Sequence, residues 1–481
     1  MHRHLLLALA ACASPLAFVA TGAVAQTETA SATPIGELVV TADKREEQIR
    51  EVPMSVTALP GDQLDKLVDR SFADYAAMVP GLSLTPAGPT SSRLTLRGLN
   101  TGGVASTVST YVDESPFGSS TGLADAAEFA ADFDTFDVQR IEVLRGPQGT
   151  LYGANSEGGI VKFITNAPDP HAFHAALEAG GQSVSDGQTV ASVDGMINVP
   201  TGDKAAVRLT GFYEDLPGWV DDPQLGERDV NHGSKYGGRA SFLMDATDDL
   251  SIRLTAFVQD TQNHGSPEVD VDPATLAPTH GDLKQDRFID EPTRASYQNY
   301  NATVNWNFHW ASLLSATTWG RQTSFSRSDV TTVLGGTLPL LSLLFPTMFP
   351  PTPLGALLDQ NVNVDKFTQE IRLTSPSSER LEWQVGGFYT HETARIDQNI
   401  PAFNYPAGTI VGPSLEAASI ASTYQEYAGF ASATYHFTPT VDLQVGGRYS
   451  HNSQTGTENT GGLLLGPRVS FTTPSSESVF N

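Results

Sequence analysis

The 481-residue sequence holds one cysteine, Cys12, inside an apolar N-terminal run. With that run removed no thiol remains, which excludes disulfides, thiolate metal sites and cysteine nucleophiles. Basic residues are scarce: 28 Lys and Arg stand against 54 Asp and Glu, a net charge of -26. That balance opposes simple attraction to nucleic acid or to anionic membrane surfaces. Downstream of the N-terminus no run of about 18 apolar residues occurs, so a membrane-spanning helix is not expected. The longest candidate, Leu338–Phe349, is broken by Pro339 and Pro346. Catalytic signatures are thin: there is no His-Glu-x-x-His and no glycine loop ending in Gly-Lys-Ser/Thr. His232, His264, His280, His391 and His451 are scattered through expected loops, and Glu268–Asp272 lacks the spacing of a calcium loop. We therefore expect no enzyme activity, no metal and no cofactor.

What is abundant is turn chemistry. There are 43 Gly and 30 Pro with only 17% charged residues, the texture of a turn-rich β protein. Met1–Ala25 has the form of a secretory signal: basic His2–His4, apolar Leu5–Ala13, and Ala23-Val24-Ala25 as a small-x-small cleavage site. Leu9–Cys12 also has the form of a lipoprotein processing site, but only Leu5–Ala11 would precede it as an apolar core, so cleavage after Ala25 is preferred.

The most informative stretch is Ile141–Pro168, IEVLRGPQGTLYGANSEGGIVKFITNAP. Alternating apolar residues lead into a turn dense in glycine (Gly146, Gly149, Gly153, Gly158, Gly159), and Ile160–Thr165 follows as a second β-branched run. The reading is strand, compact loop, strand. This run resembles the end of the plug domain of TonB-dependent outer-membrane receptors, whose plugs carry a similar Arg-Gly-Pro-Gln-Gly…Tyr/Phe-Gly…Gly-Gly stretch. Upstream, Val52–Leu59 alternates as a strand, and Asp62–Val79 has helical spacing with Leu64, Leu67, Val68, Phe72, Tyr75 and Met78 on one face. Leu82–Leu84 and Leu94–Leu96 read as short strands, and Tyr111–Pro116 is similar to the family's Tyr-Val-Asp-Gly segment, with Glu114 in place of glycine.

Beyond Pro170 the texture changes to alternating segments of about ten residues split by polar turns, as in an outer-membrane barrel. Clear cases are Ala205–Tyr213, Tyr236–Met244, Leu250–Val258, Ser296–Phe308, Leu313–Thr323, Phe367–Thr374, Leu381–Tyr389, Tyr424–Phe437 and Val441–Tyr449. Short turns alternate with long connections over Asp215–Gly233, Asp260–Ala295, Ser324–Lys366 and His391–Ser422. The pattern yields roughly 12 strands, against about 22 in the family's closed barrel. The expected fold is an antiparallel transmembrane β-barrel, incomplete here, with an N-terminal α/β plug. The expected divisions are a signal peptide (1–25), a flexible N-terminus (26–51), a plug (52–168) and a partial barrel (169–481). An open half-barrel leaves unpaired edges in lipid, so a truncated sequence is expected.

The resemblance implies further roles. Ile35, Gly36, Glu37, Leu38, Val39, Val40, Thr41 and Ala42 are similar to a TonB box, the β-prone segment that TonB grasps by strand pairing; the alternative is an ordinary first strand. Arg97 and Arg145 are implied to lock the plug to barrel glutamates, the alternative being pairing within the plug. Tyr111, Asp113 and Glu114 are implied to form a ligand-facing plug loop. The resemblance implies a monomeric active transporter in the outer membrane of a Gram-negative bacterium. Its partners are TonB with its inner-membrane motor, a scarce ligand such as a ferric siderophore, and outer-membrane lipid, but no nucleic acid. The alternatives are uptake of cobalamin, a glycan or an aromatic compound, or a passive porin or surface-binding barrel. A secreted hydrolase and a signalling receptor are further alternatives, the latter disfavoured by the short stretch between Gln26 and Ile35.

Overall fold

A computed structural model of the chain describes residues 38–64, 66, 72–88, 91–100, 106–124, 132–377, 380–438 and 440–480. The signal peptide, Ile35, Gly36, Glu37, Leu67 and Val68 lie outside the described residues.

The N-terminal part begins with a two-stranded ribbon, β1 (Val39–Val40) and β2 (Glu47–Gln48). Then come β3 (Ser55–Pro60), the short helices α1 (Gly61–Leu64) and α2 (Phe72–Ala77), and the hairpin β4 (Leu82–Gly88) and β5 (Ser91–Leu96). They are followed by β6 (Val108–Val112), β7 (Ser115–Phe117), β8 (Val138–Arg145), the single turn α3 (Gly149–Tyr152) and β9 (Gly159–Thr165). One five-stranded sheet takes the order β3-β8-β9-β6-β7, with β6 and β9 parallel. β8 and β9 are its centre because Ile141, Val143, Leu144, Ile160, Val161 and Phe163 are fully or almost fully buried. The expected Ile141–Pro168 unit is thus present, with α3 added inside its turn. Gly159 at φ +141° is required there: a Cβ would lie 2.1 Å from the Leu144 carbonyl oxygen. Of the expected helical face, Leu64, Phe72 and Tyr75 are buried, but over the described residues Asp62–Val79 forms two short helices rather than one.

The remaining strands form one antiparallel sheet in sequence order, twelve strands among the described residues. They are β10 (His174–Ser183), β11 (Thr189–Gly202), β12 (Ala205–Leu216), β13 (Gly233–Asp245), β14 (Leu250–Asn263) and β15 (Thr293–Asn307). They continue with β16 (Ser312–Asp329), β17 (Leu354–Thr374), β18 (Leu381–Asn404), β19 (Thr409–Thr438), β20 (Val441–Gly462) and β21 (Gly466–Phe480). The sheet is open, with β10 and β21 as its edges. Strand length rises from 10 residues in β10 to 30 in β19. All nine segments named from alternation are strands here, and their short-turn ends agree closely. Three long connections hold, at 217–232, 264–292 and 330–353. The fourth does not: His391–Ser422 is mostly strand, turning at 405–408. Past the bilayer neither face of a strand meets lipid, so the apolar alternation that marks a strand fades.

In parts of β12 and β17 apolar residues point out and polar ones in. Leu209 is exposed between inward Arg208 and Thr210, Ile371 between Glu370 and Arg372. Trp306, Phe308, Trp310 and Trp383 run in ring-to-ring steps of 4.8 to 6.5 Å along the short-turn rim, as an interfacial girdle does. The N-terminal sheet sits against the inner wall. Phe133 joins them, meeting Phe117 and Phe163 on one side and Phe257 and Tyr297 on the other.

Candidate functional site at the plug–barrel seam

Residues Val39–Arg45 lie in the seam between the plug sheet and the barrel wall, like a strap. Val40 and Ala42 are fully buried. The Thr41 N–H donates to both Glu142 carboxylate oxygens, at 2.9 and 3.1 Å, and the Thr41 hydroxyl donates to Glu142 at 3.0 Å. Lys162 Nζ donates to Thr41 Oγ1 at 3.0 Å, and the Tyr152 hydroxyl donates to the Thr41 and Ala42 carbonyls at 3.1 and 2.9 Å. Those bonds tie the strap to the plug. The next residues tie it to the barrel. Lys44 Nζ meets Glu370 at 2.5 Å, and Arg45 meets Glu382 at 3.1 Å and the Trp383 carbonyl at 2.5 Å.

Glu370 also holds Arg372 at 2.6 Å. Arg372 reaches Glu114 at 3.3 Å, and Glu114 takes Lys162 at 3.1 Å, which closes a ring of charges around the strap. Burial pushes the Lys44 ammonium down to about 8, despite Glu370 beside it. Burial, with Asp43 adding to it, pushes the Glu47 carboxyl of β2 up to about 7. Burial would raise Glu114 as well, but Lys162, Arg372 and Lys44 together hold it well below the usual carboxylate range.

Two further clasps join plug to wall. Asp137 accepts from Arg208 Nε at 2.8 Å, Arg239 at 2.9 Å and the Thr210 hydroxyl at 2.9 Å. Burial opposes its charge, yet the guanidinium groups hold its carboxyl below the ordinary range. Higher on the wall, Glu392 accepts from the Ser119 hydroxyl and, at 2.9 Å, from the Ser120 N–H. Lys366 donates to the Gly118 carbonyl and to Ser120 Oγ, at 2.9 and 2.8 Å. The cavity beside this clasp, lined by Tyr111, Tyr152, Lys366 and Glu426, has a volume of about 40 Å³. That is room for a water molecule, not for a metal chelate. Gly118–Gly122 has the Gly-x-Ser-x-Gly spacing of a hydrolase elbow, but the partners of Ser120 are Lys366 and Glu392, not an imidazole.

The expected site residues are distributed as follows. Leu38–Ala42 are described and docked, with β1 paired to β2 (Val39↔Gln48, Val40↔Glu47). Arg97 is exposed with its guanidinium against Gly146, and Arg145 donates to the Pro80 carbonyl at 3.3 Å. Among the described residues neither meets a barrel carboxylate; the ion pairs across the seam come from Lys44, Arg45, Asp113, Glu114, Asp134 and Asp137 instead. Asp113 accepts from the Thr165 N–H at 2.8 Å and pairs with Arg253 at 3.6 Å. Its turn therefore faces Arg253 and Arg372, which stand two or three residues from the short-turn ends of β14 and β17, away from the long loops. Tyr111 is buried, donating to the Tyr152 carbonyl at 3.1 Å. The barrel charges were not singled out in the sequence, although Glu370 and Arg372, inward between outward Ile371 and Leu373, carried a usable signal.

Comparison with known proteins agrees with this architecture. The model of the TonB-dependent receptor plug domain matches residues 48–160, and that of the TonB-dependent receptor-like β-barrel matches 228–479, over half of the chain. The chain belongs to the TonB-dependent receptor family. It is 27% identical to the pesticin receptor of Yersinia enterocolitica over 351 residues, 69% of this chain and 44% of that one. It is 33% identical to the hemin receptor of Yersinia pestis over 32% of this chain and 22% of that one. To the vitamin B12 transporter BtuB of Vibrio vulnificus it is 25% identical, over 48% and 38%. Among solved structures, the ferric yersiniabactin uptake receptor FyuA from Yersinia pestis superposes with a TM-score of 0.68 at 17% identity, covering 89% of this chain and 61% of that one. The siderophore receptor PiuA from Acinetobacter baumannii gives 0.64 at 14%, covering 90% and 62%. The receptor thus spans less than half the length of these curated relatives.

Proposed function

We propose that this receptor takes part in energised uptake of a scarce ligand across the outer membrane, with residues Ile35–Ala42 as the segment that TonB grasps. The strap carries this reading. Its backbone is a β-prone stretch beside the N-terminus, and it is bonded at once to the plug sheet through Glu142 and to the barrel wall through Glu370 and Glu382. Traction on such a strap loads plug and wall together. Beside the upper clasp the seam leaves only water-sized space, while a wider gap of about 380 Å³ separates Pro147–Gly153 from β19 and β20. A ferric siderophore is the favoured ligand, because the solved structures that share the fold include receptors for ferric yersiniabactin and for ferric citrate. Hemin and vitamin B12, named for two of the relatives, are the second reading. We keep the locking role of Arg97 and Arg145 as a proposal for barrel residues other than those described.

The test is uptake by cells expressing the chain, with and without residues 35–42, using ferric yersiniabactin, ferric citrate, hemin and cobalamin as probes. Deletion should abolish energised accumulation and leave surface binding intact. Accumulation unchanged by the deletion would mean passive flow and overturn the proposal.

A further inference from the structure

Apart from the separate Arg45–Glu382 pair and half-buried Asp43, the charges around the strap do not balance. Four cations, Lys44, Arg140, Lys162 and Arg372, stand with three anions, Glu114, Glu142 and Glu370. Every one of these side chains is four-fifths buried or more, so a surplus is not diluted by water. Leave out Lys44 and three cations face three anions. Glu142 keeps Arg140 at 2.7 Å, Glu114 keeps Lys162 at 3.1 Å, and Glu370 keeps Arg372 at 2.6 Å. Of these seven charges Lys44 is the one that belongs to the strap, and its departure leaves each of the others with a partner.

We infer that Lys44 is the releasable member of this cluster: the strap is held by its backbone bonds and side-chain packing, while the Lys44 charge keeps its docking metastable. The usual expectation for a buried ion pair is the reverse, that deleting either partner is equally damaging. Here the two partners of one 2.5 Å contact are inequivalent. Removing Glu370 leaves Lys44 and Arg372 facing each other with too few anions. Removing the Lys44 charge leaves a balanced cluster. The site around Nζ suits a side chain that enters and leaves, because two of its walls are aromatic faces, Tyr152 at 4.9 Å and Phe430 at 5.5 Å. An alkyl chain packs on those faces as well as an ammonium does. Burial is the main cause of the low Lys44 pKa, with Arg372 adding to it. The inference builds on the strap as the proposed handle for TonB, but it concerns only how the strap is stowed.

The test needs no TonB and no ligand. In the full chain with Cys12→Ser, Val40→Cys places a thiol at a fully buried strap position, and its labelling by a bulky maleimide in detergent micelles reports release. Val161→Cys, fully buried in β9, reports loss of the plug fold in parallel chains. Lys44→Met should label at Val40→Cys no faster than the parent. Glu370→Gln should label roughly tenfold faster or more, the scale set by a buried charge left without its partner. Lys44→Met added to Glu370→Gln should bring the rate back towards the parent's, since it returns the cluster to a surplus of one cation, with Arg372 and Lys162 sharing Glu114. Fast labelling of Lys44→Met, or a double variant as fast as Glu370→Gln, overturns the inference. If Glu370→Gln exposes Val161→Cys as well, the comparison of the parent with Lys44→Met decides alone. The outcome is separate from the uptake test: a chain that fails to energise transport can still show this pattern, and the reverse.

Discussion

Docking of the strap should be weakest between about pH 7 and 8 and should improve in both directions. Two groups set this. The docked Lys44 ammonium has its pKa near 8 against 10.5 when free, so above pH 8 the released strap binds more protons than the docked one. Docking therefore gains as pH climbs from 8 towards 10.5, and below 8 Lys44 adds no slope. At about 1.4 kcal/mol per pKa unit the full gain is about 3 kcal/mol. Glu47 acts in the opposite sense. Its docked carboxyl titrates near 7 against 4.5 when free, so docking is favoured in acid and weakens as pH rises through 7. Lys44 is faced by Glu370 and Arg372 from β17, Glu114 from the β6–β7 turn and Lys162 from β9, and Glu47 by Asp43, Arg45, Glu51 and Glu382. The assay is electron paramagnetic resonance of a nitroxide at Val39→Cys, a solvent-exposed strap position, in the Cys12→Ser chain in micelles. The mobile fraction should peak between pH 7 and 8. Lys44→Met should remove the alkaline fall, and Glu47→Gln the acid one. A mobile fraction that climbs steadily from pH 8 to 10 would refute the reasoning, because the ion pair would then outweigh the burial of its charge.

Two other expectations follow from the seam and the plug. Asp137→Ala leaves buried Arg208 and Arg239 without their shared carboxylate, so the plug should lose about 3 kcal/mol in a urea titration followed by thiol labelling at Val161→Cys in the Cys12→Ser chain. Asp137→Asn, which keeps an acceptor, should lose less. Gly159→Ala should break the β8–β9 pairing outright, since its Cβ would lie 2.1 Å from the Leu144 carbonyl oxygen in a backbone at φ +141°. Limited proteolysis should then cut between β8 and β9, and an uncut plug would contradict the placement.

The strands and the plug were legible because one rule governs each. In the barrel, lipid on one face and the plug on the other impose strict alternation, and Leu250–Val258 or Val441–Tyr449 show it plainly. β10 was not among the segments named because its residues are small or polar: His174–Ser183 carries one large apolar side chain, Leu177. In the plug, the glycines of Ile141–Pro168 marked the turn, but nothing local marked the one-turn helix Gly149–Tyr152, whose Tyr152 packs against Tyr111 at 5.2 Å. The seam was the least legible part. Lys44 and Glu370 are 326 residues apart, and Asp137 and Arg239 are 102 apart. Only the folded sheet brings such pairs together, and a single charge in sequence carries no sign of its partner.

The gradient in strand length gives the barrel mouth a direction. At about 3.3 Å per residue, β10 extends roughly 33 Å and β19 roughly 100 Å, and a tilt near 40° still leaves β19 about 75 Å tall against about 30 Å of hydrocarbon. One flank of the entrance therefore ends at the lipid headgroups, while the other stands up as a rampart wet on both sides. The tall flank is also where Glu392 and Lys366 pin Ser119 and Ser120 of the plug to the wall.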